Sequence, residues 1–377
     1  MDIPLAEFFL SRYVAHAARR RPVAPLPVAD LAAVRRVLLV LTTGIGDAVF
    51  SSAAFPSLRA AFPEAEIRLF CRSAWTELFA ADPNLDGVIP YPGKFRRWRA
   101  TLGVLRQFAP ELTLVLHGND PDILPLCYLA GSKYVIRIPT TGTKFPFLLS
   151  NRTRAEDAAT VPGLHYVDNR LRILDSLGIP IVARTPAIHL APELRQRVQA
   201  EFARRLKGRP YWVLHAHAAD AYKNLPAMLV RELIDRAPEA FPGHSIVLTG
   251  GAENRAALQG LTPCHDNRIY VAAGRLSLAE SAACLAGADA VVAPDTGILH
   301  LAAALDRPTL GLFSPTRAAL VGQRAPHAEA KVIEKPPTCD PCLQKQCPHR
   351  PVTCMGQFAA DEVLAALATL LPKEGRQ

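Results

Sequence analysis

No stretch of this chain approaches the roughly 20 uncharged apolar residues of a bilayer-spanning helix, so a helical membrane span is not expected. A secretory leader is missing as well: Asp2 and Glu7 precede Arg12, the reverse of a basic start followed by an apolar core, and the expected location is the cytoplasm. Zinc-finger, helix-turn-helix and RNA-binding signatures are lacking, which leaves nucleic acid outside the expected partners. The turn Gly44-Ile45-Gly46 lacks the third glycine of the dinucleotide fingerprint, Val49 standing in its place, and this counts against a nicotinamide dehydrogenase. What is present is a chain of 377 residues, half of them hydrophobic, with a mean hydropathy of +0.11. At roughly 100 to 200 residues per domain, that length suits two globular domains. A net charge of +9 and a pI near 9.3 favour anionic partners such as nucleotides, acidic glycans or lipid head groups.

Strand-like and helix-like segments alternate, the pattern of parallel sheets covered by helices, and the expected class is α/β. Leu5 to Ala18 reads as an amphipathic helix, followed by Arg19 to Arg21 and the Pro-rich Pro22 to Pro27. Two readings of it stand: a helix packed on the body, or one lying on a membrane surface. A first doubly wound unit then runs through Val37 to Leu41, Phe55 to Ala61, Glu66 to Phe70 and Leu112 to Leu116. The pattern restarts beyond a hinge at residues 178 to 190, with a helix at Leu194 to Leu206 and strands at Tyr211 to Leu214, Ser245 to Leu248 and around Ala288. The expected domains are residues 1–183, with 1–35 as a helical, Pro-rich extension, and 184–355. A helix in 356–377 is free to cross back to the first domain.

Two strand–turn–helix segments carry chemistry. After the apolar run Ala288 to Val292, Pro294 to Gly297 reads as a tight turn opening a Leu/Ala helix, whose first N–H groups point out of the sheet edge and form a seat for phosphate. Near the start, Val37 to Leu41 leads through Thr42-Thr43-Gly44-Ile45-Gly46 to Asp47, a carboxylate at the same kind of edge. Asp47 is a base candidate, and the competing reading is an N-cap for a helix starting near Ala48. His117, Asn119 and Asp120 end another strand, suited to substrate hydroxyls or to a plain turn. Lys94, Arg96, Arg97 and Arg99, interleaved with Phe95 and Trp98, form a basic and aromatic patch for phosphates or carboxylates, or a solvated helix face.

The eight cysteines divide unevenly. Cys71, Cys127, Cys264 and Cys284 read as buried small hydrophobes. Cys339, Cys342, Cys347 and Cys354, with His349 among them, have the spacing of a structural zinc or iron site, against which stand free or redox-labile thiols.

These segments resemble glycosyltransferase family 9, the heptosyltransferases of lipopolysaccharide synthesis. The likeness is carried by Thr43-Gly44-Ile45-Gly46-Asp47, Phe55-Pro56-Ser57-Leu58-Arg59, Phe62-Pro63-Glu64-Ala65 and Asp82-Pro83-Asn84-Leu85-Asp86 in the first half. In the second it is carried by Lys223-Asn224-Leu225-Pro226, Gly250-Gly251-Ala252-Glu253, Asp295-Thr296-Gly297 through Ala304, Arg307-Pro308, and Leu312 to Thr316. The resemblance covers nearly all of the chain beyond the first thirty or so residues. It implies a GT-B architecture, two facing Rossmann-like domains with a cleft between them, the first binding acceptor and the second the nucleotide sugar. It also implies inverting, metal-independent transfer, most simply of heptose from ADP-heptose to a lipopolysaccharide core at the inner membrane surface, with no catalytic cofactor. On this view Asp47 is the base, Lys223 meets phosphate, and the N–H groups of Thr296 and Gly297 with the Thr296 hydroxyl hold the diphosphate. Asp295 holds sugar hydroxyls, Glu253 the ribose, and His300 either approaches the phosphates or packs. The Asp-x-Asp spelling at Asp120-Pro121-Asp122 lies away from the donor residues and, stiffened by proline, is not expected to hold a cation. Alternatives are a family member with another donor or a protein acceptor, for which the cysteine segment argues, and a nucleotide-sugar-binding protein without turnover.

Overall fold

A computed structural model of the chain describes residues 3–372, apart from 24, 26–30, 32, 139–143, 152–160, 162, 263–265, 341 and 350–351. Cys264 and part of the Pro-rich stretch lie outside the described residues. The chain divides into two compact units, Met1–Arg184 and Thr185–Gln377, within the hinge expected at residues 178 to 190.

The first unit is built on five parallel strands: β1 (Arg36–Leu41), β2 (Glu66–Arg72), β3 (Gly87–Tyr91), β4 (Leu112–His117) and β5 (Tyr134–Arg137), in the order β3-β2-β1-β4-β5. Val37 to Leu41 are wholly buried, because a central parallel strand covered by helices on both faces reads as one apolar run rather than an alternation. Helix α1 (Ile3–Arg20) turns Leu10, Val14, Ala17 and Ala18 toward this unit's core. The strand order reverses between β1 and β4, and in doubly wound sheets ligands bind beyond the carboxyl ends of the strands at that point. The residues following β1 and β4 are the Gly44 turn with Asp47, and Gly118 to Asp120.

The second unit has six parallel strands: β6 (Tyr211–His215), β7 (Ser245–Thr249), β8 (Ile269–Val271), β9 (Val291–Pro294), β10 (Thr309–Phe313) and β11 (Ala330–Glu334), ordered β11-β10-β9-β6-β7-β8. Here the reversal falls between β6 and β9, so the loop bearing Lys223 and the segment Asp295 to Gly297 leave the sheet side by side. The α/β expectation therefore holds in both halves.

Pro294, expected in the turn, instead closes β9 in register with Leu312. It can do so because β6 pairs only with Val291 and Val292, so the missing proline N–H falls beyond that ladder. The helix after Gly44 begins at Ile45 rather than near Ala48. The closing helix (Ala360–Ala368), left free by the sequence to cross back to the first domain, buries Val363, Leu364 and Leu367 in the second unit's core with Leu229, Leu233 and Met355.

Candidate functional site

In the first unit, β1 runs out through Thr42 and Thr43 into Gly44, whose φ of +65° belongs to the left-handed region that glycine occupies without penalty. A Cβ at Gly44 would also stand 2.7 Å from Asp47 Oδ2. The turn thus brings helix α2 (Ile45–Ser52) off the sheet with Asp47 in its first turn and not at its N-cap, which corrects the capping alternative. A carboxylate in that first turn is still favoured by the positive end of the helix. Its Oδ1 accepts a hydrogen bond from Arg170 Nη2 at 2.6 Å and lies 3.6 Å from His117 Nε2. His117 is tied back in turn, its Nδ1 lying 2.8 Å from Thr43 Oγ1. Burial, reinforced by the Arg170 charge against the pull of Asp47, holds the His117 imidazole down at about 4, so the ring is neutral near pH 7.

Asn119 accepts a 2.7 Å hydrogen bond from Arg137 Nη2. Asp120 is buried, with Arg72 Nη2 at 3.4 Å and Lys94 Nζ at 3.6 Å. Arg72 also donates from Nε to the Thr42 carbonyl, bridging the ends of β1, β2 and β4. Asp122 is committed to the fold, accepting from Tyr91 Oη at 2.7 Å and the Phe95 amide at 2.8 Å. The basic patch is therefore divided. Lys94 turns to Asp120, whereas Arg96 and Arg97 are exposed in the turn that opens helix α3 (Trp98–Phe108). Arg170, Arg72 and Arg137 escape sequence reasoning. Arg170 lies in the helix Tyr166–Asp175, 123 residues beyond its partner Asp47, and nothing local marks it.

In the second unit Thr296 is the N-cap of the helix Gly297–Ala304, its Oγ1 accepting from the Leu299 amide at 3.3 Å. The first-turn N–H groups ahead of Leu299 have no partner within the helix. Asp295, just before them, is shared: Lys223 Nζ lies 3.0 Å from its Oδ2 and His300 Nε2 3.2 Å from its Oδ1. Burial alone would raise this carboxyl, but the hydrogen bonds and positive character of His300 and Lys223 hold it at about 2. His300 is buried, and packing and pairing coincide in it. Glu253 follows Gly250-Gly251 at the end of β7, exposed and without a hydrogen bond or ion pair among the described residues. Sequence reasoning missed His215 and His217, which end and follow β6. His215 is buried against Thr249 Oγ1 at 2.9 Å, and His217 Nδ1 has no partner among the described residues.

Cys71, Cys127 and Cys284 are buried, and burial pushes each thiol up to about 12. Among the described residues no three His, Cys, Asp or Glu side chains are placed to hold a metal ion, so the structural metal expected at the four cysteines finds no support here. Cys354 is held in the second unit's core beside Met355 and Phe358, and Cys339 Sγ pairs with His349 Nε2 at 3.2 Å. The segment lies beside the Lys223 loop, where Lys345 Nζ is 3.5 Å from Asp220.

The first unit thus offers a carboxylate oriented by an arginine, and the second an anion-receptive helix start flanked by a lysine. The profile of the family described as "Glycosyltransferase family 9 (heptosyltransferase)" matches residues 143–353. Lipopolysaccharide heptosyltransferase 1 of Pseudomonas aeruginosa is 32% identical over 330 residues, 84% of this chain and 88% of its own length. Two solved structures share the fold. The glycosyl transferase family 9 protein of Veillonella parvula superposes with a TM-score of 0.73 at 20% identity, covering 89% of this chain and 97% of its own. Escherichia coli heptosyltransferase WaaC with ADP superposes with a TM-score of 0.65 at 21% identity, covering 89% and 99%.

Proposed function

The chain belongs to glycosyltransferase family 9, and from that premise we propose that it moves heptose from ADP-heptose to a lipopolysaccharide core acceptor, inverting the anomeric carbon and using no metal ion. The donor assignment is supported by the ADP held in the WaaC structure, and the acceptor by the lipopolysaccharide named for the Pseudomonas relative. One observation carries the reading: the Lys223–Asp295–His300 chain beside the Thr296–Gly297 helix start, at the point where the second sheet reverses its strand order.

Transfer to an alcohol needs a base for the acceptor proton and a receiver for the charge that grows on the departing diphosphate. Asp47 is the base. With Oδ1 held by Arg170, Oδ2 is left to take the proton as the acceptor oxygen attacks the face opposite the leaving group. The diphosphate is received by the N–H groups of Thr296 and Gly297 and by Lys223. An ammonium has three donors, so Lys223 can keep Asp295 and still reach a phosphate oxygen. Asp295 then accepts from sugar hydroxyls and Glu253 from the ribose. His117, Asn119 and Asp120, with Lys94, Arg96 and Arg97, meet the acceptor. Protein groups supply the charge stabilisation in this scheme, and it asks for no cation.

The test is transfer from ADP-heptose to heptose-deficient lipopolysaccharide, followed by mass spectrometry, with chelator present and absent. The expected outcome is chelator-insensitive addition of one heptose in the anomeric configuration opposite to that of the donor. Transfer only from another nucleotide sugar, retention of configuration, or loss of activity with chelator would each reject the corresponding element.

A further inference from the structure

Helix α1 carries two apolar stripes where packing requires one. Val14 is wholly buried, and Leu10, Ala17 and Ala18 pack around the same core. Leu5, Phe8, Phe9 and Tyr13 recur at the spacing of a second helix face and remain between 51% and 60% exposed. Single exposed apolar side chains are ordinary, but four along one face, three of them aromatic, form a patch.

The patch borders a groove of about 670 Å³ between α1 and α3, lined by Phe9, Tyr13, Trp98, Arg99 and Arg106 among others. Trp98 Nε1 is buried without a hydrogen-bond acceptor among the described residues. The charges around it are of one sign. Arg12 sits over the Phe8 ring at 5.7 Å, Arg19 and Arg20 close the helix, and the helix's acid Glu7 is already paired with Lys144. The whole surface lies outside residues 143–353, the span of the family match.

We propose that this face seats the chain on an anionic lipid bilayer, with the aromatic rings in the interface and the arginines on head-group phosphates. Tyrosine and tryptophan, with apolar bodies and polar tips, suit that depth. No helix among the described residues is long and apolar enough to cross a membrane, so α1 lies along the surface. Charge argues against a second copy as the occupant: a two-fold contact centred on this stripe would bring Arg12 of each chain, beside Phe8, toward its own counterpart. The proposal stands independently of the donor and acceptor assigned above, because its test reads binding and not transfer.

The full chain is to be sedimented with vesicles of phosphatidylcholine alone and with equimolar phosphatidylglycerol added. Expected are binding to the anionic vesicles only, weakening as salt rises, and a drop of about tenfold or more in the Phe8→Ser/Phe9→Ser double variant. Arg12→Glu should weaken it by about fivefold or more. Quenching of tryptophan fluorescence by brominated lipid, measured in the unsubstituted chain, gives a reading that no folding defect can confuse. Absence of binding and quenching, or equal binding to neutral vesicles, would overturn the proposal. So would a dimer in sedimentation velocity that the double variant dissociates, since the stripe would then belong to a second copy.

Discussion

As the proposed base, Asp47 must keep one oxygen open to the acceptor proton. Arg170 binds Oδ1 at 2.6 Å and thereby fixes which oxygen serves that role. Asp47→Asn is expected to lower kcat roughly a hundred- to ten-thousand-fold while ADP affinity, measured by calorimetry, stays unchanged. Arg170→Gln should lower kcat with the donor KM untouched, and Arg170→Lys should recover part of the loss, which a purely structural arginine would not do. Lys223→Ala should weaken ADP binding by about 10- to 100-fold, the loss of a charge-assisted hydrogen bond, and an unchanged dissociation constant would remove Lys223 from the diphosphate site. Asp47, Lys223, Asp295 and Glu253 are legible in the sequence because each ends or follows a strand in a short recognisable block. Arg170, Arg72 and Arg137 are not. Their partners lie 123, 48 and 18 residues away, and an arginine on a helix or strand carries no local mark of what it will meet.

At the scale of elements, the two strand–turn–helix junctions use different devices. The first relies on Gly44, where a side chain would be strained at φ +65° and would press on the Asp47 carboxylate. Gly44→Ala is expected to cost about 1–2 kcal/mol in thermal unfolding and to reduce kcat further than that loss of stability explains, because the carboxylate is displaced. The second relies on the Thr296 hydroxyl, whose removal in Thr296→Ala should cost about 1 kcal/mol of stability through the lost cap. Strand and helix identities are readable from hydrophobic period in both units, but ends are not. Pro294 looks like a turn residue by composition, and only the short pairing of β6 makes room for it in β9. The cysteine segment is a second place where local pattern is silent about tertiary demand. Its spacing suggests ligands, yet Cys354 belongs to the apolar surface that anchors the closing helix, a tertiary demand that spacing alone cannot reveal.

For the molecule as a whole, the two-unit plan is legible because each half repeats the same alternation and each sheet reverses its order between strands that carry charged loops. What the alternation does not disclose is the set of buried imidazoles at those strand ends, which are expected to make stability fall as the pH drops. Burial, with His217 nearby, depresses His215 from 6.5 to about 4, and His117 is lowered similarly. A histidine with a depressed folded-state pKa binds its proton more weakly when folded than when unfolded. As the pH falls below 6.5 the unfolded chain takes up protons that the folded chain refuses, and stability declines until about pH 4, where the folded ring also titrates. The contribution of His215 is on the order of 3 kcal/mol across that interval. Thermal midpoints measured between neutral pH and pH 4 should fall steeply for the wild-type chain and less steeply for His215→Gln, with the two curves converging toward the acid end. Parallel curves would mean that the ring is protonated within the fold and that its hydrogen bond to Thr249, not its burial, governs its charge.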